Sequence, residues 1–309
     1  MKLTVDYINK RATEDASSFI KESEKRYYEE IYSVAQEIVN DNDKKIIMIA
    51  GPSGSGKTTT AHILKDYLKD KGKKTEVVSL DDFYLDFKDA PLDEDGEPDF
   101  ETVHSLDIGE IDRCFKEIIE NGCSFVPIFD FGAKQRKAER KNISIENGGI
   151  LVVEGLHALN PLLSCHLPTK NIFKIYISVA RTIYGADGEE LLSSKQMRLV
   201  RRISRDSIYR NASAQQTFDM WENVIAGENK HLYKFKPTAD RCLTTLHEYE
   251  PCVFKDRVLT LLSQIDPASE DYGYVESTMN ALQRFESIDE SLVPHESLIR
   301  EFIKGGKYE

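Results

Sequence analysis

The chain has 309 residues, enough for one α/β domain of medium size together with additional helical segments. Its 53 acidic residues outnumber its 41 basic residues and give a net charge of −12. Because nucleic-acid phosphates are bound by positively charged surfaces, this balance argues against a general nucleic-acid-binding protein.

Cysteine usage and hydropathy exclude two further classes of protein. The five cysteines are widely spaced and never form a C-x-x-C pair, so neither a disulfide framework nor a zinc site is predicted. Residues 1–20 are too polar for a signal peptide, and no apolar run approaches the roughly 20 residues that cross a bilayer. We therefore expect a cytoplasmic protein without a membrane partner.

The first predicted elements are a long helix and a buried strand. Apolar residues recur at about the 3.6-residue helical period over residues 19–39, which predicts an N-terminal helical extension spanning residues 1–44. Residues 46–50 then form a short, continuous apolar run, which is typical of a buried parallel strand. The main domain is expected to begin at this strand, at about residue 45.

Strands and helices alternate through the main domain. Further apolar runs at residues 76–80, 125–129, 150–153 and 173–177 predict strands, and residues 58–70 and 107–120 predict helices. This alternation predicts an α/β fold with a five-stranded, mainly parallel sheet and helices on both faces. After the main domain, at residues 45–250, a helical segment is expected over residues 251–309, packed on the main domain or available as an interface.

Residues 51–58 read GPSGSGKT, the pattern of a phosphate-binding P-loop. In such a loop the glycines let backbone N–H groups surround phosphates, Lys57 reaches the β- and γ-phosphates, and the Thr58 hydroxyl ligates Mg²⁺. The alternative is a chance glycine-rich turn, but the loop follows a predicted strand and opens a predicted helix. The residues expected to bind ATP are Gly51, Ser53, Gly54, Ser55, Gly56, Lys57, Thr58 and Thr59, together with Arg210 further along the chain.

A P-loop by itself does not separate kinases from other nucleotide hydrolases. The guanine-reading N-K-x-D motif is absent, because neither Asn9-Lys10 nor Asn229-Lys230 is followed by the required aspartate. The L-S-G-G-Q signature of transporters is absent as well. A kinase is the remaining class.

Acidic residues follow two of the predicted strands, at the sheet edge where ligands of open α/β folds bind. Asp81 is the candidate general base for an acceptor hydroxyl, and loop capping is the alternative role for it. For Asp82, loop capping and a role in the site are about equally good interpretations. Glu154 follows the next buried strand and is expected to hold Mg²⁺, together with Thr58 and Asp81.

An arginine-rich stretch follows the predicted strands. Arg198, Arg202 and Arg205 are spaced to share one side of a helix, which is either a solvated face or part of a lid. We favour a lid over about residues 190–215, in which Arg202 and Arg205 neutralise charge that builds up in the transition state.

Taken together, these segments resemble the uridine kinase and phosphoribulokinase family of P-loop kinases. The resemblance rests on GPSGSGKT, SLDDFY, VPIFDF, VVEGLHALNP and RLVRRISRD, and runs from about residue 45 to 245. Three further segments resemble most closely the bacterial uridine-kinase-like proteins that are often fused to synthetase-like N-terminal modules. These segments are DEDGEPDFE at 93–101, GEN at 227–229 and ESLIREFIKGG at 296–306. We expect a helical extension, and no synthetase-like module, ahead of the P-loop.

The resemblance assigns roles to individual residues. It implies that Asp81 is the catalytic base and that Tyr84 lines the acceptor site. Glu101 is implied to bind ribose hydroxyls, and Arg136 to lie near the acceptor. The lid is implied to contain Arg202, Arg205 and Arg210. Uridine-cytidine kinases carry a tyrosine and a histidine in the stretch that reads the pyrimidine, where this chain has Phe129 and Lys134. Phe129 can stack on a base but carries no hydroxyl, and Lys134 offers only donors.

The expected activity is ATP- and Mg²⁺-dependent phosphorylation of the 5′-hydroxyl of a nucleoside, with uridine or cytidine as the acceptor. One alternative is a kinase for another hydroxylated metabolite, such as pantothenate or a sugar phosphate bound by Lys134, Arg136 and Lys137. Another is a nucleotide-binding regulatory protein without turnover. A homo-oligomer is left open.

Overall fold

The computed structural model of the protein describes residues 2–92, 96–146 and 148–308. Residues Asp93, Glu94 and Asp95 of the DEDGEPDFE motif therefore lie outside the described residues. The helices are α1 Val5–Asn40, α2 Lys57–Asp70, α3 Ile108–Asn121, α4 Ser194–Tyr209, α5 Ala214–Asp219, α6 Trp221–His231, α7 Glu250–Leu262, α8 Tyr272–Gln283 and α9 Arg300–Ile303. The strands are β1 Leu3–Thr4, β2 Ile46–Ala50, β3 Thr75–Ser79, β4 Cys123–Val126, β5 Phe129–Asp130, β6 Gln135–Arg136, β7 Lys141–Ser144, β8 Ile150–Glu154, β9 Ile172–Ser178, β10 Ile183–Tyr184, β11 Glu190–Leu192 and β12 Arg241–Thr244.

The central sheet has five strands in the order β12-β9-β2-β8-β3, and every neighbouring pair is parallel. All residues of β2 are buried, as expected for a central strand covered on both faces. Because the strands are parallel, the residues immediately after β2, β3 and β8 meet at one edge of the sheet. The predicted α/β fold with a five-stranded sheet is confirmed.

One predicted strand of the sheet is wrong. Residues 125–129 contribute to two antiparallel pairs outside the central sheet, namely β4 with β7 and β5 with β6. The fifth strand of the sheet is instead β12, at its edge. Only Leu243 of its four residues is buried, so β12 lacks the apolar run that marks a buried strand in a sequence.

The N- and C-terminal segments pack on the central domain. In α1, the Tyr27 hydroxyl lies 2.8 Å from Thr60 Oγ1 of α2. Ser204 Oγ of α4 donates to the Phe302 carbonyl oxygen of α9 at 2.6 Å. A single apolar cluster includes Ile31 of α1 and Ile175 of β9 as well as Phe302. The three predicted parts of the chain thus share one core, and their division into separate domains remains a prediction.

Within the described ranges, no helix combines the length and the apolar character that a membrane span requires.

Candidate active site

The P-loop connects β2 to α2 and opens onto a cleft of about 800 Å³. Gly54 and Gly56 adopt left-handed backbone conformations with φ of 74° and 80°, which side chains disfavour. A Cβ at Gly56 would lie 2.6 Å from Leu298 Cδ1, so this position also requires glycine for space.

The first turn of α2 is suited to an anion. No side chain of the described residues caps this helix start, so its unpaired N–H groups are available to phosphate oxygens. Among the predicted loop residues, those that line the cleft are Ser53, Gly54, Gly56, Lys57 and Thr58.

Three of the residues predicted to bind ATP do not line the cleft, and their part in binding ATP remains a prediction. Gly51 and Ser55 are buried and do not line the cleft. Thr59 lines a neighbouring cavity of about 280 Å³.

Ser53 is held at all three of its polar atoms. Its backbone N–H donates to Glu228 Oε1 at 2.7 Å, its carbonyl oxygen accepts from Arg198 Nε at 2.8 Å, and its Oγ lies 2.8 Å from Arg202 Nη1. Arg198 and Glu228 also form a close ion pair with each other, and both side chains are almost completely buried. The outer part of the P-loop is therefore fastened to α4 and α6.

A third arginine fastens the next residue of the loop. Arg201 Nη1 donates to the Gly54 carbonyl oxygen at 3.1 Å, and Arg201 Nε pairs with Glu250 of α7 at 2.7 Å. Arg198, Arg201 and Arg202 are only 2%, 0% and 8% exposed, so the alternative of a solvated arginine face is wrong. The structure anchors α4 to the P-loop, and movement of this helix as a lid remains a prediction.

This anchoring leads to a prediction about stability. Replacing Glu228 by alanine would leave the Arg198 guanidinium buried without its partner. Because removing one member of a buried ion pair costs about 3–5 kcal/mol, we expect the free energy of unfolding to fall by that amount. Urea unfolding followed by circular dichroism measures the loss.

The matched control is Glu222→Ala, which changes an exposed glutamate at the start of the same helix. Such a surface change is expected to stay within about 0.5 kcal/mol of the unsubstituted protein. Equal unfolding curves for the two variants would show that the Arg198–Glu228 pair does not stabilise the fold.

Asp81 lies just beyond β3, in a short turn where Ser79 Oγ accepts from its backbone N–H at 3.3 Å. Its carboxyl group lines the cleft. The surrounding protein atoms raise the pKa of this carboxyl by desolvation, and the positive charges of Lys57, Arg210 and Arg205 oppose the rise. Asp81 therefore lies close enough to these three cations in the cleft to interact with their charges.

Asp82, next in the chain, points elsewhere. Its Oδ1 accepts from the Phe129 backbone N–H at 3.4 Å, and it does not line the cleft. Capping of a neighbouring loop is thus the interpretation that the structure supports for Asp82.

Glu154 ends β8 and is 5% exposed. Thr58 Oγ1 donates to Glu154 Oε1 at 3.3 Å. Burial and, second, the charge of Asp81 raise the pKa of Glu154 to about 7, while Lys57 opposes the rise. Two carboxyl groups and a hydroxyl therefore converge beside the P-loop.

These residues fit an Mg²⁺ ion. Magnesium is usually held by one or two carboxylates plus substrate phosphates and water, and not by a cage made only of protein. Within the described ranges no cluster of three or more His, Cys, Asp or Glu side chains could enclose a metal ion. The donor set of Thr58, Glu154 and Asp81 thus suits an ion shared with a bound phosphate.

Three arginines line the cleft next to the P-loop. Asp206, which is 1% exposed, holds all of them: Arg205 Nη2 lies 2.9 Å, Arg202 Nε 3.4 Å and Arg210 Nε 3.5 Å from its carboxylate oxygens. A single buried carboxylate thereby concentrates positive charge on the wall that faces the phosphate site.

Part of the cleft wall is aromatic. Neighbouring ring centroids lie 5.1–5.8 Å apart, and most pairs meet edge to face. Lys134 Nζ lies 4.4 Å from the centroid of the Phe87 ring. We call this set the aromatic cluster, and its members are Tyr84, Phe87, Phe100, Phe129 and Phe131.

Glu101 lines the same cleft and follows Phe100 of the aromatic cluster in the chain. A Cβ at Gly227 would lie 2.8 Å from Glu101 Oε2, so the glycine is what lets Glu101 pack against α6. Burial and, second, the charge of Glu228 raise the pKa of Glu101 to about 7, while Arg202 opposes the rise. The carboxyl group is thus held in the cleft near charged and aromatic neighbours.

Comparison with known proteins agrees with this geometry. Residues 46–180 match the model of the Phosphoribulokinase / Uridine kinase family. The predicted family resemblance is confirmed. A uridine kinase from Halobacterium salinarum is 26% identical over 58% of this chain and 70% of its own length. A uridine kinase from Ligilactobacillus salivarius is 25% identical over 60% of this chain and 77% of its own length.

Similarity extends to solved structures. D-glycerate 3-kinase from Cryptococcus neoformans aligns with a TM-score of 0.48 and 14% sequence identity, over 66% of this chain and 87% of that chain. From the family match and the curated relatives, the chain is a P-loop kinase, that is, a phosphotransferase.

Arg136 lies behind the residues predicted to line the acceptor site, because it pairs with Phe129 across β5 and β6. Its guanidinium donates at 2.8 Å to the carbonyl oxygens of Tyr84 and Phe83 and pairs with Asp107 at 2.9 Å. It does not line the cleft. Arg136 therefore supports the loop that carries Tyr84, and a direct contact with the acceptor remains a prediction.

Sequence reasoning missed several residues of the site. Phe100 precedes Glu101 and Phe131 belongs to the VPIFDF stretch, so their neighbours in sequence already signalled them. Glu228 and Glu301 also line the cleft. They lie in the GEN and ESLIREFIKGG segments, which carried the family resemblance but gave neither carboxylate a role. Only the packing of the chain brings these two carboxylates to the P-loop.

Proposed function

We propose that this kinase transfers the γ-phosphate of ATP to the 5′-hydroxyl of a nucleoside. The observation that carries the proposal is one cleft that is lined both by the phosphate-binding loop and by the aromatic cluster. Asp81 and Glu101 line the cleft with them. The curated uridine kinases support uridine or cytidine as the acceptor.

The aromatic cluster and Glu101 suit the two halves of a nucleoside. Aromatic rings stack on the flat face of a base without requiring a particular base. A carboxylate accepts hydrogen bonds from the vicinal hydroxyls of ribose, as acidic residues do in other nucleotide sites. With the base on the aromatic cluster and the ribose on Glu101, the 5′-hydroxyl would face Asp81.

The chain's own residues account for the transfer. Backbone N–H groups of the P-loop and Lys57 bind the phosphates. Asp81 accepts the proton of the 5′-hydroxyl while the oxygen of that hydroxyl forms a bond to the γ-phosphorus. The bond from that phosphorus to the β,γ-bridging oxygen breaks, and Arg202, Arg205 and Arg210 stabilise the charge on the departing ADP. Magnesium held by Thr58, Glu154 and Asp81 would neutralise charge on the phosphate oxygens.

The sugar-phosphate alternative has weaker support. An acceptor that carries a phosphate would need several basic side chains at its end of the cleft. Of the three candidates, only Lys134 lines the cleft. Arg136 is engaged in the loop, and Lys137 pairs with Asp130 at 3.8 Å. The acceptor end of the cleft is thus aromatic and acidic, which favours an uncharged acceptor.

A regulatory protein without turnover would not need a base in the phosphate cleft. Lys57, Asp81 and Glu154 all line the same cleft, although they come from three separate stretches of the chain. Their convergence supports an enzyme that turns over.

The proposal predicts loose selection of the base and strict selection of the ribose. Uridine, cytidine, purine nucleosides and their deoxy forms are compared with Mg²⁺ and ATP in a coupled assay for ADP. Apolar stacking discriminates by only about 10 to 200-fold, whereas a lost hydrogen-bond partner costs up to about 10⁴-fold. We therefore expect kcat/KM to vary modestly with the base and to fall sharply when the ribose hydroxyls are removed.

Glu101→Gln tests which residue reads the ribose. The pKa of Glu101 is about 7, so its carboxylate, the better acceptor, forms as the pH rises through 7. In the unsubstituted enzyme the preference for ribose over deoxyribose should grow over this range, and in Glu101→Gln it should be small and independent of pH. Glu120→Gln, an exposed change on α3, serves as the control. Strict uridine selectivity with indifference to the 2′-hydroxyl would contradict the proposal.

A further inference from the structure

Two neighbouring threonines in the first turn of α2 are each held by a carboxylate from a distant part of the chain. Thr58 Oγ1 donates to Glu154 of β8 at 3.3 Å. Thr59 Oγ1 donates to Glu301 Oε2 of α9 at 2.6 Å. Thr59 is only 4% exposed, and Glu301 lines the cleft. The C-terminal segment therefore reaches the residue that follows the expected Mg²⁺ ligand, Thr58.

This first turn has little support within its own helix. The first N–H groups of a helix have no partner inside it, and a side chain at the N-cap position usually satisfies one of them. Gly56 occupies the N-cap position of α2 and has no side chain with which to do so. The bond from Thr59 to Glu301 fixes the turn from outside, and a negative charge near a helix N-terminus also stabilises the helix.

The segment that carries Glu301 is itself fixed on two sides. Leu298 packs so closely against Gly56 of the P-loop that a Cβ there would clash with it. On the other side, Ser204 Oγ of α4 donates to the Phe302 carbonyl oxygen at 2.6 Å. Glu301 thus stands on a firm support between the P-loop and the helix that carries the arginines of the cleft.

We propose that Glu301 is a positioning residue of the phosphate site, which acts by accepting from Thr59. The bond fixes the first turn of α2, and this turn carries both Lys57 and Thr58. Groups that stabilise a transition state are most effective when the protein holds them in place before the substrates bind. The inference rests on the proposed function, and it gives a part in the reaction to a segment outside residues 46–180 of the family match.

The test measures how much Mg²⁺ improves the binding of ADP. Titration calorimetry on the full chain is carried out with Mg²⁺ and with EDTA in its place. Glu301→Ala removes the acceptor of Thr59 and should lower the improvement about tenfold, the lower end of the cost of losing a group that orients a metal ligand. The kcat for uridine should fall by a similar factor. Glu301→Gln, whose amide oxygen can still accept from Thr59, should behave like the unsubstituted protein.

Thr59→Val tests whether Glu301 acts through Thr59. Valine lacks the hydroxyl donor, so this variant should show the same losses as Glu301→Ala. The double variant should be no worse than either single variant, because both changes remove the same bond. The matched control is Glu296→Ala, which changes an exposed glutamate of the same segment and should alter neither quantity.

Several outcomes would overturn the positioning role of Glu301. One is an improvement by Mg²⁺ that stays unchanged in Glu301→Ala, whether or not ADP itself binds more weakly. Others are additive losses in the double variant and a loss in Glu301→Gln as large as that in Glu301→Ala. If the unsubstituted protein phosphorylated no nucleoside, the proposed acceptor would be wrong, and the ADP titrations would still decide the role of Glu301.

Discussion

Replacing Lys57 by alanine is expected to abolish phosphate transfer while the protein stays folded. Among the described residues, Lys57 has one hydrogen-bond partner, the Pro52 carbonyl oxygen at 3.2 Å from Nζ, so little structure depends on it. The Lys57 side chain carries its positive charge at the start of α2. Without that charge, a bound γ-phosphate would lose its main positive partner. Turnover in the coupled ADP assay and thermal unfolding by circular dichroism measure the two parts of this prediction.

Lys69→Ala is the matched control, because Lys69 is an exposed lysine near the other end of the same helix. It should leave both turnover and unfolding unchanged. Near-normal turnover of Lys57→Ala would overturn the assignment of the P-loop as the phosphate site.

Asp81→Asn should lower kcat by roughly 10²-fold or more and keep the affinity for ATP within a few-fold. The amide has nearly the shape of the carboxyl group but cannot accept the proton of the acceptor hydroxyl. Single-turnover rates and a nucleotide titration separate the chemical step from binding.

Asp82→Asn is the natural comparison, because the two residues are adjacent and only Asp81 lines the cleft. The amide oxygen of asparagine can still accept from Phe129 N–H, so kcat should change little. If Asp81→Asn instead lost ATP binding and kept its turnover at saturation, Asp81 would act only in holding the metal or the fold and would not be the base.

The phosphate site could be predicted from local sequence because each of its parts is short and continuous. The P-loop needs glycines, a lysine and a hydroxyl at fixed spacing, and residues 51–58 contain them all. Asp81 and Glu154 stand at the ends of buried strands, and parallel strands place their carboxyl-terminal residues at one edge of the sheet. Their convergence in the cleft was therefore predictable before the fold was known.

The acceptor end was predicted less completely. Tyr84, Glu101, Phe129 and Lys134 line the cleft as the resemblance implied, whereas Arg136 supports a loop. An arginine in a sequence does not show whether its donors are already engaged by backbone carbonyl oxygens. Such engagement depends on how two distant loops approach each other.

By itself, the sequence determined the P-loop, the α/β alternation and the acids at the strand ends, because these depend on residues close together in the chain. The tertiary structure alone decided the position of Glu228, which accepts from Ser53 although 175 residues separate them. It also decided that Glu301 meets Thr59 across 242 residues. No periodicity or local motif encodes such pairs, because they form only when helices from distant parts of the chain pack into one core.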